Sequence, residues 1–419
     1  MTTVASYIRE RATLAKGSTR VLSTLSSEQK NTALGRIADL LESEADALRT
    51  INERDLAEGR DAGLDPYFLD RLVLAPENVA SDTRGVIGLP DPIGQTIEGR
   101  TLPNGIYLSK RRVPLGVVGC IYEARPNVTV DIAALALKSG NAAILRGGKE
   151  ARHTNRALGE LIQRALAESD VPAEAVQVVS DPDRAHVDEM LKADDLIDLV
   201  VPRGSETLIA HVRANATMPV VAHGEAVVQV YVDREANLAM ALEIVDNAKT
   251  RRYSICNAAD TILVHAEIAP QFIPALADRW AGKVTLIGGQ RALALLPGST
   301  SVERATEETW RTEHLSLRVG LKVVDSLEEA VDHIETYGSH HSDAIVTEDY
   351  SAATYFVDHV DSSAVYVNAS TQFTDGAQFG LGAEVGISTQ KMHARGPMGL
   401  VELTSYKWIA MGTGQVRPL

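Results

Sequence analysis

A chain of 419 residues, 45% of them hydrophobic, is too long for one ordinary core, so two or three domains are expected. Its net charge of −15 argues against a general nucleic-acid binder, because phosphate contacts demand a basic surface. No apolar run approaches the roughly 20 residues that span a bilayer, and the first ten residues lack the apolar core of a signal peptide, so a cytoplasmic setting is expected. The opening eighty or so residues read as helical. Ser26 and Gln29 have the spacing of a capping box, and behind them Leu34, Ile37, Leu41 and Leu48 recur at helical spacing. Gly, Pro and Asp thicken from Gly85 to Gly105, marking loops and a peripheral hairpin through Ile106, Tyr107 and Leu108.

From Val113 onward short apolar runs alternate with amphipathic segments. Strands are predicted at Leu115–Ile121, Ala142–Leu145, Val176–Val179, Leu196–Val201 and Val227–Val232. The rhythm restarts at Thr261–Val264, Val284–Ile287, Ala344–Val346 and Ala364–Val367. Continuous apolar strands between amphipathic helices indicate parallel sheets covered on both faces, so the fold class is α/β with two such domains.

Two turns carry binding signals. Arg146-Gly147-Gly148-Lys149 leaves a strand through two glycines and two cations, and Arg203-Gly204-Ser205-Glu206 leads directly into a helix N-terminus. Backbone N–H groups and a helix dipole could hold a phosphate at either. Neither follows the G-x-G-x-x-G or Walker pattern, and an ordinary turn explains each equally well. Of the two cysteines, Cys120 lies in an apolar strand and reads as structural. Cys256 follows Arg251 and Arg252, whose positive field would favour the nucleophilic thiolate, and precedes a buried strand. His340, His341 and Asp343 crowd one stretch, but no i, i+4 or C-x-x-C spacing accompanies them. A polar loop near a substrate is expected there, and no metal.

Several strings together resemble a known family. They are Val113-Pro114-Leu115-Gly116-Val117, Tyr122-Glu123-Ala124-Arg125-Pro126-Asn127 through Asp131, Leu137-Lys138-Ser139-Gly140-Asn141, the Cys256 segment, His333 through Asp343, Val367-Asn368-Ala369-Ser370, Phe379 through Ser388, and His393-Ala394-Arg395-Gly396-Pro397. In order and spacing they resemble the γ-glutamyl phosphate reductases of the aldehyde dehydrogenase superfamily. The resemblance implies a Rossmann-like cofactor domain (1–101 and 113–245), a catalytic domain (246–400) and a small β oligomerisation arm (102–112 and 401–419). It also implies NADPH-dependent reduction of L-glutamyl 5-phosphate to L-glutamate 5-semialdehyde in proline biosynthesis, a homo-oligomer, and functional coupling to glutamate 5-kinase.

Residue by residue, the resemblance places Cys256 at the nucleophile and Asn127 where an amide faces the oxyanion. Glu313 resembles the glutamate at the nicotinamide ribose. Lys138, Arg146, Gly147, Gly204 and Ser205 fall on the cofactor path, and Arg125, Ser339 and His341 are expected at the substrate. One departure is informative: where hydrolytic relatives carry a general-base glutamate, this chain has Ala222. A thioester that must not meet activated water has no use for that base. Glu225 keeps a hydrolytic NAD(P)-dependent aldehyde dehydrogenase open as the alternative. Rivals of other classes are a non-catalytic assembly subunit and a metal-dependent dehydrogenase using His340 and His341.

Overall fold

The computed structural model describes residues 4–222, 226–296, 298 and 301–418. The chain forms two compact units. One comprises Met1–Ala222, Gly380–Gly386 and Met398–Leu419, and the other His223–Phe379 and Ile387–Pro397.

The first unit opens with helices Val4–Leu22, Ser27–Ser43, Ala45–Asp61, Pro66–Leu72 and Pro76–Ile87. Ser26 caps the second with the reciprocal bonds of a capping box: its hydroxyl accepts from the Gln29 backbone N–H, and its own N–H donates to the Gln29 side-chain Oε1. Leu34, Ile37 and Leu41 from that helix are fully buried, as their spacing predicts. The helices accompany a four-stranded parallel sheet in the order Val176–Val179, Ala142–Gly147, Val117–Tyr122, Leu199–Arg203. Its strands are almost wholly buried, the pattern of a sheet covered on both faces. A separate three-stranded antiparallel sheet places Tyr107–Pro114 between Thr96–Thr101 and Thr404–Met411. The expected arm of hairpin plus C-terminal strand is thus one ribbon. Lys110 sits over the rings of Tyr406 and Trp408 on it.

The second unit is built on a seven-stranded parallel sheet. Its order is Val302–Arg304, Thr285–Gly288, Arg318–Val324, Ala259–His265, Val228–Val232, Ser342–Val346, Ala364–Val367. The strand Val228–Val232, predicted to close the first series, pairs with Ala259–His265 instead. The long N-terminal stretch of the first unit therefore ends at Ala222, where the sequence reading set 245. Val230, Val264, Phe272, Leu276, Trp280 and Leu321 form the centre of the core on one side of this sheet, and Tyr231, Ile345 and Phe356 belong to a second cluster. Among the described residues no helix is long and apolar enough to cross a membrane.

Candidate active site

In the second unit the residues singled out by sequence gather along one rim of the sheet. Cys256, Glu313, Ser339 and His341 lie in the segments leading into Ala259–His265, Arg318–Val324 and Ser342–Val346, toward the N-terminal ends of those strands.

Cys256 is half-buried on the turn between helix Leu238–Thr250 and strand Ala259–His265. That turn is held from far along the chain. The buried side-chain amide of Asn257 donates to the Gln372 and Thr374 carbonyls (3.4 and 2.9 Å), and the Thr371 hydroxyl donates to the Asn257 carbonyl at 2.7 Å. Gln372 closes the frame: its amide nitrogen donates to the Ala248 and Arg252 carbonyls at 3.0 and 3.2 Å, and its oxygen accepts from Arg251 at 3.2 Å. Thr371 and Gln372 were not among the residues marked from sequence. Their one local signal is Ser370, whose hydroxyl caps the 3-10 turn Thr371–Phe373. Cys120 differs in kind. It is wholly buried, and burial pushes its thiol up to about 12 against the opposing pull of Arg203.

A buried ionic group ties the strand that follows the Cys256 turn to the Glu313 loop. One oxygen of the Asp260 carboxylate accepts from the His314 backbone N–H at 2.9 Å and the other from the Val228 N–H at 3.3 Å. Lys249, fully buried, brings its ammonium to 3.9 Å from Asp260. Burial pulls Lys249 down to about 8, partly offset by Asp260. Burial, with the charge of Lys249, takes His314 down to about 4. His314 is therefore neutral at physiological pH.

Ser339 and His341, expected at the substrate, are tied into the scaffold. The Ser339 hydroxyl accepts from the Val227 N–H at 2.9 Å, pinning the start of the neighbouring strand. His341 is buried, and its Nδ1 lies 2.8 Å from the Ser342 hydroxyl, which meets Thr374 at 2.7 Å, which in turn meets the Tyr366 hydroxyl at 2.8 Å. His340 instead turns its Nδ1 to the Asp361 carbonyl at 2.9 Å. The adjacent histidines therefore serve different partners, and the backbone between them is bent, with His340 at a left-handed φ of 58°. Asp343 is fully buried, accepting from the Gln229 N–H at 2.8 Å, and burial pushes it up to about 7.

In the first unit, Arg146, Lys149, Ser205 and their neighbours line a cavity of about 490 Å³ at the C-terminal rim of the four-stranded sheet. Glu123, Glu150 and Arg184 share it. Such rims are where parallel α/β sheets bind ligands, and the volume suits a small organic molecule. Arg146 is almost buried, with one guanidinium nitrogen 2.9 Å from the Pro182 carbonyl and no partner for its Nε among the described residues. A Cβ on Gly147 would meet the Asn155 amide at 2.0 Å, and one on Gly204 would meet the Glu123 carboxylate at 2.4 Å, so both positions require glycine unless those side chains shift. Ser205 caps helix Glu206–Asn215 through its hydroxyl, while its N–H donates to Glu123 at 2.7 Å. An internal carboxylate thus occupies that helix N-terminus.

Lys138 is a correction. Expected on the cofactor path, it does not line this cavity; it is buried at the far end of helix Asn127–Lys138 and donates to Asn31 at 2.6 Å and the Ile87 carbonyl at 2.9 Å. A lysine buried to that degree needs oxygen partners, and the helical layer supplies them. Asn127 and Arg125 are half-buried at the start of the same helix. Ala222 is buried, with its carbonyl accepting from Arg213 at 3.0 Å, and brings no carboxylate. Glu225, the alternative base, lies outside the described residues.

Two parallel-sheet units, one presenting a rim cavity and the other a half-buried cysteine on an anchored turn, are matched by the aldehyde dehydrogenase family model over residues 4–292, and the chain belongs to that family. Its relatives narrow the class. It is 50% identical over 416 residues to a γ-glutamyl phosphate reductase of Dehalococcoides mccartyi (98% of each chain), and 52% identical over 415 residues to one of an Enterobacter species (98% and 100%). The crystal structure of the Thermotoga maritima γ-glutamyl phosphate reductase superposes with a TM-score of 0.95 at 42% identity, covering 98% of this chain and 100% of that one. Within that family the chain belongs to the γ-glutamyl phosphate reductases, oxidoreductases of proline biosynthesis that act on glutamyl phosphate.

Proposed function

We propose that the chain reduces L-glutamyl 5-phosphate to L-glutamate 5-semialdehyde with NADPH, through a thioester on Cys256 and with release of inorganic phosphate. The observation that carries this reading is the half-buried Cys256, on a turn locked by Asn257 and Gln372, in a chain with Ala222 at the hydrolytic base position. The Cys256 thiolate attacks the acyl carbon, forming a C–S bond, and the carbonyl electron pair moves to oxygen. Asn127 donates an amide N–H to that oxyanion. Collapse of the adduct breaks the C–O bond to phosphate and leaves the thioester. When bound, the reduced nicotinamide supplies the hydride that takes the thioester to a thiohemiacetal. The C–S bond then breaks, returning the thiolate and freeing the aldehyde. Splitting the reaction at a covalent intermediate lets one cysteine serve both halves.

The rim cavity fits a nucleotide in volume and in the unpartnered Arg146 Nε. Arg146 and Lys149 are the cations that would hold its phosphates, Ser205 would join them once Glu123 leaves its N–H, and Glu313 is assigned to the ribose. Arg125 is the cation for a substrate carboxylate, and Ser339 and His341 are the further substrate-binding residues. A homo-oligomer formed through the arm completes the reading.

The test is the reverse reaction. Protein is given glutamate 5-semialdehyde and NADP⁺, and reduced cofactor is followed with and without inorganic phosphate. Strict dependence on phosphate is expected. Equal rates without it would mean that water resolves the thioester, and a hydrolytic aldehyde dehydrogenase would replace this reading. A higher kcat/KM with NAD⁺ than with NADP⁺ would overturn the cofactor assignment alone.

A further inference from the structure

Asn127 opens helix Asn127–Lys138, and its side-chain Nδ2 donates to Asp131 at 2.9 Å. Residues four apart share a helix face, so the contact is built into the helix. Nothing in the reaction scheme uses this carboxylate.

The chemistry of an asparagine amide gives it a task. Oxygen and nitrogen of the amide are nearly the same size, and a half-turn of the group exchanges an acceptor for a donor. An amide that stabilises an oxyanion must present N–H; presenting its carbonyl would place a partial negative charge against a full one. An ionised carboxylate only accepts. Beside Asp131 the nitrogen is therefore the favoured neighbour, and the amide is held in one of its two orientations. One N–H goes to Asp131, and the second is left for another acceptor.

We propose that Asp131 is a positioning residue that fixes the orientation of the Asn127 amide for oxyanion stabilisation; this rests on the role given above to Asn127. The surroundings of Asp131 bear on when it is an acceptor only. Burial, reinforced by Asp82 from helix Pro76–Ile87, pushes it up to about 7, while Arg203 at the end of a sheet strand and Arg125 from the preceding turn oppose the shift. The ionised form prevails at pH ~8, which is the pH for the test.

The experiment is a double-mutant cycle on the full-length protein, using the phosphate-dependent reverse reaction. Asn127→Ala is expected to lower kcat by about 10²–10³-fold, the usual loss for an oxyanion donor. Asp131→Ala is expected to lower kcat by about 10–100-fold with the semialdehyde KM nearly unchanged, the range for a residue that orients a primary group. In the Asn127→Ala background the same change is expected to cost less than about twofold, because no amide remains to be oriented. Asp131→Asn, which keeps a carbonyl acceptor on the same stem, should recover part of the loss. It also carries the cycle if the alanine variant fails to fold, as shown by thermal melting.

An equal Asp131 effect in both backgrounds would overturn the proposal, since the residue would then act without Asn127. So would an unchanged kcat in Asp131→Ala while Asn127→Ala is impaired, and that outcome leaves the role of Asn127 standing. Full kcat in Asn127→Ala would remove the oxyanion role itself, and the proposal with it.

Discussion

At the scale of single residues, two cysteines in one chain are held in different environments. Cys120 is sealed in a strand, where its thiol is pushed up to about 12, whereas Cys256 is half-buried on a turn. Iodoacetamide at neutral pH is expected to modify Cys256 and spare Cys120, giving one labelled thiol per native chain and two after denaturation, as read by mass spectrometry. Labelling of Cys120 in the native protein would contradict its burial. Cys256→Ser is expected to lower kcat by on the order of 10³-fold or more, because an unactivated hydroxyl is a far poorer nucleophile. Retained turnover would remove the thioester from the scheme.

The contrast between the cysteines was legible in sequence from their flanks, an apolar strand against a run with two arginines. The frame around Cys256 was not. Gln372 reaches the Cys256 turn across 120 residues to Arg252, and no local pattern records such a contact. Lys138 misled for a related reason: an isolated lysine inside a motif shows its charge in sequence but not the carbonyl that receives it.

At the scale of elements, the capping box of Ser26 and Gln29 could be read directly, because both halves lie within one turn. Ser26→Ala is expected to destabilise the start of helix Ser27–Ser43 by about 1 kcal/mol, read as faster amide exchange in its first turn. Unchanged protection there would mean that packing, not the cap, holds the helix end.

The strands were legible where apolar runs were unbroken. The strand Arg318–Val324, which stands next to Ala259–His265 in the sheet, was missed. Arg318, Gly320 and Lys322 interrupt its apolar pattern, and Arg318 answers Glu303 through a two-pronged ion pair.

Asp343, on strand Ser342–Val346, makes a pH prediction. Its folded carboxyl is raised to about 7, above the ordinary carboxylate value, so between about pH 4 and 7 the folded state holds a proton that the unfolded chain has lost. Stability from this group is greatest at the low end of that window and declines as pH rises through 7. Asp343→Asn is expected to flatten that decline in a plot of melting temperature against pH. A parallel curve for the variant would show that the carboxyl does not titrate there.

At the scale of the whole molecule, the α/β class and the presence of two parallel sheets followed from the alternation of strand and helix periods. The point of division did not. Val228–Val232 is equally apolar whichever sheet receives it, and only pairing with Ala259–His265 decides.

The arm was legible as a hairpin and a terminal strand. Strand Thr404–Met411 leaves Tyr406, Trp408 and Met411 exposed, and one of its edges is unpaired among the described residues. An open edge of that kind is a template for pairing with another chain. Trp408→Glu is expected to shift the mass in sedimentation toward the monomer. An unchanged mass would place the subunit contact elsewhere.

The anchoring of the Cys256 turn also bears on the order in which the protein is made. Asn257 meets its partners Gln372 and Thr374 across 115 and 117 residues. At roughly 5–20 residues per second of synthesis, Cys256 leaves the ribosome on the order of 10 s before the segment that seats it. For that interval the growing chain carries the Cys256 thiol without its frame. A chain cut short before Ser370 would never acquire it.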